Sequence, residues 1–231
     1  MRGAMIRLLL GAALLFPSAG YAQTDAGGSS ASVSYNAAIV SDYRFRGLSY
    51  SNRKPAVQGG ADIYFHSGWF VGTWLSSVAN YGGAHAEVDF YGGYSGSAGG
   101  WNYTATLLGY VYPDGRNTDY FEMQSTVAHT LGPATATVTV AYYPKQWNAS
   151  SNLYTSLGAD VAILGTPLTA SASVGRENGS YDEKWDWSAG LSYTLDKLEI
   201  SASYVDSNYK GALEAGKNGR ATALLSVKAL F

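Results

Sequence analysis

The sequence has no cysteine, and only three histidines, three methionines and six prolines in 231 residues. Without cysteine there is no disulfide framework, no thiolate metal site and no cysteine nucleophile. Charge is also scarce: 14% of residues are ionised, where a soluble domain carries about a quarter. Lys and Arg number 15 against 17 Asp and Glu, a net charge of −2, so nothing resembles the basic footprint of a nucleic-acid binder. No apolar run reaches the roughly 20 residues of a membrane helix. The run Leu8 to Phe16 stops at Pro17, follows Arg2 and Arg7, and leads to Gly20-Tyr21-Ala22. That is the pattern of a secretory leader, residues 1–22, with a mature chain from Gln23 and one domain over 23–231.

What the chain does have is glycine (28), tyrosine (19) and a period of two. Leu168, Ala170, Ala172 and Val174 alternate with Thr169, Ser171 and Ser173. Leu198, Ile200, Ala202 and Tyr204 alternate with Glu199, Ser201 and Ser203 in the same way. Helical spacing fits neither, and such alternation marks strands with two different faces. Read along the chain, it predicts strands near 33–46, 56–66, 69–78, 85–95, 101–112, 119–131, 134–143, 153–164, 168–176, 185–195, 198–206 and 221–231. Each is close to the roughly 9–11 residues of a tilted membrane strand. In 69–78 either parity is apolar, Val71 and Leu75 or Phe70 and Trp74.

The connectors alternate as well. Ser67-Gly68, Gly96 to Gly100, Gly132-Pro133, Gly165 to Pro167 and Asp196-Lys197 are short. Gly47 to Pro55, Ala79 to Ala84, Pro113 to Thr118, Pro144 to Asn152, Glu177 to Lys184 and Ser207 to Arg220 are longer and more polar. Short turns at one end and long loops at the other describe an antiparallel up-and-down transmembrane β-barrel of about twelve strands. A secreted sandwich or soluble barrel shares the alternation, so its direction must be settled otherwise. A barrel of about twelve strands is wider than the eight-stranded case that side chains just fill, so an apolar interior would leave a void. Aromatics gather at strand ends, as girdles do: Tyr43 and Phe45, Phe65 and Trp69, Trp101 and Tyr103, Trp185 and Trp187.

Charges keep to the parity opposite the apolar set. Asp42, Arg44, Arg46, Asp62, Glu87, Asp89, Glu122, Asp160, Asp186, Glu199 and Lys228 are thereby the expected lining of a lumen. Its acids outnumber its bases, and rings of Asp and Glu favour cations. Two interiors are compatible with this: a wet channel, or a plugged lumen whose acids pair with Arg44 or Arg46. Unpaired carboxylates in a dry lumen would cost several kcal/mol each, which favours the wet channel. The final strand ends in Phe231, a terminal aromatic of the kind read by the bacterial outer-membrane assembly machinery.

The block Val40 to Ser49, with Asp42-Tyr43-Arg44-Phe45-Arg46-Gly47 at its centre, resembles the opening signature of the TorF-type porin family of proteobacteria. The resemblance continues through Lys54 to Gly60, Gly68 to Trp74, Glu87 to Tyr94 and Trp185 to Asp206. It implies a Gram-negative outer-membrane barrel with a pore role, and it brings no catalytic residue.

Enzyme chemistry finds little purchase. His66, His85 and His129 are scattered, without the spacing of a zinc site, and no cofactor is expected. Ser125 and His129 share a strand face but lie four residues apart, about 13 Å, too far for a nucleophile and its base to touch. Glu87 and Asp89 lie about 7 Å apart on one face, a separation that two carboxylates at a glycosidic bond also show; lumen acids need no such role. The function expected is passive diffusion of small solutes or ions, weakly cation-preferring. The alternative is a non-transporting structural or surface-interaction barrel. Expected partners are outer-membrane lipid and lipopolysaccharide, the assembly machinery and small solutes or ions, not nucleic acid.

Overall fold

The computed structural model describes residues 30–147, 149–180, 183–210 and 216–231. The expected leader lies outside them. Twelve antiparallel strands close into a barrel: β1 (Ala31–Val40), β4 (Ala56–Phe65), β5 (Trp69–Tyr81), β6 (Ala84–Ala98), β7 (Trp101–Val111), β8 (Tyr120–Leu131), β9 (Ala134–Tyr143), β10 (Asn152–Ala162), β11 (Leu168–Asn178), β12 (Lys184–Leu195), β13 (Leu198–Ser207) and β14 (Thr222–Leu230). Each pairs with its chain neighbours, and β14 returns to β1 with Ala38 opposite Lys228 and Val40 opposite Ser226. Closure leaves no wall strand with a free edge. The two remaining strands, β2 (Arg44–Phe45) and β3 (Leu48–Ser49), form a small hairpin of their own between β1 and β4.

The alternation read from sequence is the alternation of the wall. Ile39, Val57, Leu75, Phe90, Leu107, Met123, Val138, Leu157, Val174, Leu191, Ile200 and Leu225, one from every wall strand, are exposed on the outside. Asp62, Glu87, Asp89, Glu122, Asp160 and Asp186 are buried on the inside. The ambiguous strand is resolved by its neighbours. On β5, Val71 and Leu75 point outward, whereas Phe70, Trp74 and Val78 are buried with Tyr43, Tyr91 and Tyr110 in an interior aromatic cluster.

Three connections differ from the sequence expectation. The strand expected over 33–46 leaves the wall at Val40, because Ser41 caps the ladder: its N–H donates to Leu225 O and its hydroxyl accepts from Leu225 N. The loop expected at Ala79 to Ala84 shrinks to Gly82-Gly83, both at positive φ, since β5 and β6 run on towards the rim. Glu177 and Lys184, read as loop ends, are wall residues opposite one another on β11 and β12. The short turns stay at one end and the longer loops at the other, with β1 beginning and β14 ending at the short-turn rim.

Candidate functional site

The site is built by residues 41–55, here called L1, which turn into the barrel instead of standing above it. Asp42 organises the turn. Its carboxylate accepts from Ser49 Oγ at 2.5 Å, Ser51 Oγ at 3.1 Å and Arg44 Nε at 2.6 Å, all within the loop. Tyr43 N donates to Ser51 Oγ and Tyr50 N donates to Tyr43 O, closing the base of the hairpin. At its tip Arg46 (φ 47°) and Gly47 (φ 82°) are both left-handed. This is the two-residue hairpin turn that demands positive φ at both central positions, normally an Asn-Gly or Gly-Gly task. Arginine is an uncommon occupant there.

L1 crosses the lumen. On one side Tyr43 packs edge-on against Trp74 at 5.5 Å, and its hydroxyl donates to Glu87 Oε1 at 3.0 Å. Phe45 meets the edge of Tyr110 at 6.0 Å. On the other side Gly47 lies so close to β12 and β13 that an added Cβ would stand 2.8 Å from the Asp186 Cβ and 2.9 Å from the Ser207 Cβ. Lys184 Nζ donates to Arg46 O at 2.5 Å. Above, Arg44 Nη1 donates to Asn218 O and Arg53 to Arg220 O and Ala221 O, tying L1 to the loop before β14.

The tip residue is clamped by the wall. Arg46 Nη2 meets Glu122 Oε1 and Oε2 at 2.7 and 2.8 Å, and Nη1 meets Glu177 Oε1 at 3.0 Å. Its guanidinium lies over the Tyr154 ring at 4.3 Å and the Phe45 ring at 4.6 Å, the stacking that guanidinium planes favour. Burial pulls the Arg46 pKa down, but Glu122 and then Glu177 raise it by more, so it stands well above its ordinary value and remains ionised. Glu177 also meets Lys184 Nζ at 2.9 Å and accepts from Asn152 Nδ2 at 2.6 Å. Burial first, then Glu87 and Asp89, hold the Tyr43 phenol well above its ordinary range, so it stays a donor.

The expected lining residues divide into two groups. Asp42, Arg44 and Arg46 belong to L1 and not to the wall. Asp62, Glu87, Asp89, Glu122, Asp160, Asp186, Glu199 and Lys228 are on inward-facing wall positions. Tyr91 donates to Asp62 at 2.6 Å, and Glu199 stands directly opposite Lys228. Phe231 closes the seam, its N–H donating to Tyr35 O and its carbonyl accepting from Tyr35 N. Sequence reasoning missed Glu177, Lys184 and Tyr154. Glu177 continues the polar parity of Thr169, Ser171 and Ser173, and Lys184 that of Asp186, so carrying each strand two residues further would have found both. His129 lies in the outer aromatic rim, 4.4 Å from the Trp101 ring with Nδ1 bonded to Gly100 O. Among the described residues no group of three His, Asp or Glu could hold a metal.

A family model described as a bacterial protein of unknown function, Gcw_chp, matches residues 24–231. The chain belongs to the Gcw_chp family. No curated protein matches the sequence. Among solved structures, the Gcw_chp barrel is similar to the KdgM porin in complex with disordered oligogalacturonate. The TM-score is 0.61 at 8% identity, over 86% of this chain and 98% of that one. It is likewise similar to the NanC porin, with a TM-score of 0.54 at 8% identity, over 86% and 98%. At such identity the likeness shows a shared barrel fold. In this Gcw_chp chain the block Val40 to Ser49 runs from the end of β1 into the inward hairpin, and its Arg-Gly turn is the part of L1 that meets the far wall.

Proposed function

We propose that this protein is an outer-membrane channel for small solutes or ions, cation-preferring, in which L1 is the movable part. One observation carries the reading: a closed barrel turns apolar side chains outward on every strand and carboxylates inward. An apolar exterior suits hydrocarbon, and closure satisfies the backbone groups that hydrocarbon cannot. On this reading the leader 1–22 exports the chain. Outer-membrane lipid and lipopolysaccharide surround the wall, and the assembly machinery reads the strand that ends in Phe231. The TorF-type resemblance points the same way. KdgM is described with a polyanionic saccharide; the acid-rich lumen here favours the opposite charge.

Two measurements test this. Leu157, exposed at the middle of β10 between Val138 and Val174, should resist charge: Leu157→Arg should cost about 2–4 kcal/mol in urea titrations of the barrel in lipid vesicles. An unchanged midpoint would contradict a lipid-facing wall. Purified protein in a planar bilayer should give discrete conductance steps with a cation-selective reversal potential. Asp62→Lys with Asp160→Lys should swing that potential towards anions, and no swing would contradict an acid-lined path. The passage of L1 from wall to wall favours a second reading, a non-transporting structural barrel. Its mark is electrical silence at all voltages, with or without the hairpin.

A further inference from the structure

Arg46 is held as a bound ligand would be. The groups that grip it come from the wall: Glu122 on β8, Tyr154 on β10 and Glu177 on β11. Most of them are set by other wall residues. Glu177 is fixed by Lys184 and Asn152, Tyr154 donates to Asp186 at 3.2 Å, and Tyr110 reaches Glu122 at 3.4 Å. The occupant, by contrast, is held against its own preference. A residue with a Cβ adopts the left-handed backbone of Arg46 at a cost, and its Nε is buried without a partner among the described residues.

We infer that the Glu122–Tyr154–Glu177 cradle is a recognition site for a guanidinium group, that Arg46 is its built-in occupant, and that a guanidinium-bearing solute displaces it and frees L1. The chemistry selects the class. Two carboxylates meet the two terminal nitrogens of a planar fork, while an aromatic face lies 4.3 Å from its central carbon. A planar, delocalised cation satisfies all three contacts at once. A compact ammonium makes the charge contacts as a point and cannot stack its plane, and that position beside Glu177 is already held by Lys184. Displacement releases the strained turn, so the exchange of one guanidinium for another does not start from an optimal resident. The binding stands on geometry alone; only its consequence, opening of the barrel, rests on the channel reading.

The test separates the two. Arg46→Asn removes the guanidinium and leaves Asn-Gly, the pair this turn prefers, so the cradle is vacated with the hairpin retained. Calorimetric titration of that variant in detergent micelles, with guanidinium and methylammonium chlorides at matched ionic strength and millimolar concentration, reads binding without any conductance. Guanidinium should bind saturably and at least about tenfold tighter than methylammonium, and adding Glu122→Gln should weaken it at least about tenfold. Equal affinities, or binding indifferent to Glu122→Gln, would overturn the site. A second measurement needs no change at Arg46. The protein has no cysteine, so Leu48→Cys places a single thiol at the hairpin tip, where Leu48 is buried. Guanidinium should speed its labelling several-fold over methylammonium; equal rates would overturn displacement. In planar bilayers guanidinium should raise the open fraction of the native barrel. If binding and labelling behave as expected and conductance does not respond, the channel reading fails and the recognition site stands.

Discussion

Arg46→Asn should destabilise the barrel by about 3–5 kcal/mol, the cost of leaving a buried charge without its partner. The structure says which charge. Glu177 keeps Lys184 at 2.9 Å and Asn152 at 2.6 Å after the change, whereas Glu122 keeps only the Tyr110 hydroxyl at 3.4 Å. Among the described residues the penalty therefore falls on Glu122. Adding Glu122→Gln to Arg46→Asn should recover much of the loss, because a neutral amide needs no counter-charge. Adding Glu177→Gln should recover little, because it replaces the carboxylate that Lys184 meets at 2.9 Å and leaves Glu122 as it was. Urea unfolding of the native protein, the three single variants and the two double variants gives both couplings, since residues in one ion-pair network depart from additivity. Equal recovery by the two glutamines, or a loss below about 1 kcal/mol for Arg46→Asn, would show that the clamp does not hold L1.

The wall was legible because its physics is local. A strand between lipid and water writes its two environments into every second residue, so Leu168 to Val174 and Leu198 to Tyr204 announced their faces without any knowledge of the fold. The up-and-down order of the strands followed from the alternation of short and long connectors, with Gly132-Pro133 and Asp196-Lys197 among the short ones; closure itself is the pairing of β14 with β1. Phe70 and Trp74 were ambiguous for a physical reason. An aromatic can serve the outer belt or an inner cluster, and the inner cluster is assembled from afar: Tyr43, Tyr91 and Tyr110 lie 17 to 40 residues from Phe70 and Trp74 in sequence.

L1 was the part that local reasoning could not place. The alternation of Asp42, Arg44 and Arg46 is real, but period two holds equally for a wall strand and for a hairpin folded inside one. The difference lies in Ser41, which ends the ladder against Leu225, and in Ser49 and Ser51, which return to satisfy Asp42. Those bonds join residues 7 to 184 apart in sequence. The partners of Arg46, at separations of 76 and 131 residues, carry no mark in sequence beyond being inward acids. The choice between a wet and a plugged lumen turned on the pairing of Arg46, and pairing is a tertiary fact.

The second large effect concerns conduction. Tyr50 N already donates to Tyr43 O at 2.8 Å, so residues 44–49 can be replaced by a two-glycine bridge without parting the ends of the loop. That excision removes the contacts of Arg46 and Gly47 with the far wall and of Phe45 with Tyr110. If those contacts hold L1 in place by about 3 kcal/mol, the ratio of closed to open states falls by roughly a hundredfold. Wall, outer belt and the inward wall carboxylates are retained while Arg44 and Arg46 are lost, so the cation preference should persist while the occupancy of the open state changes.

Single-channel recording of the native and hairpin-excised barrels, side by side in the same bilayer and salt, shows whether L1 gates the lumen. A barrel whose inner hairpin gates an acid-lined path should open rarely and briefly in native form, and should stay open and cation-selective once residues 44–49 are gone. Identical traces from the two proteins, whether both silent or both open, would contradict it.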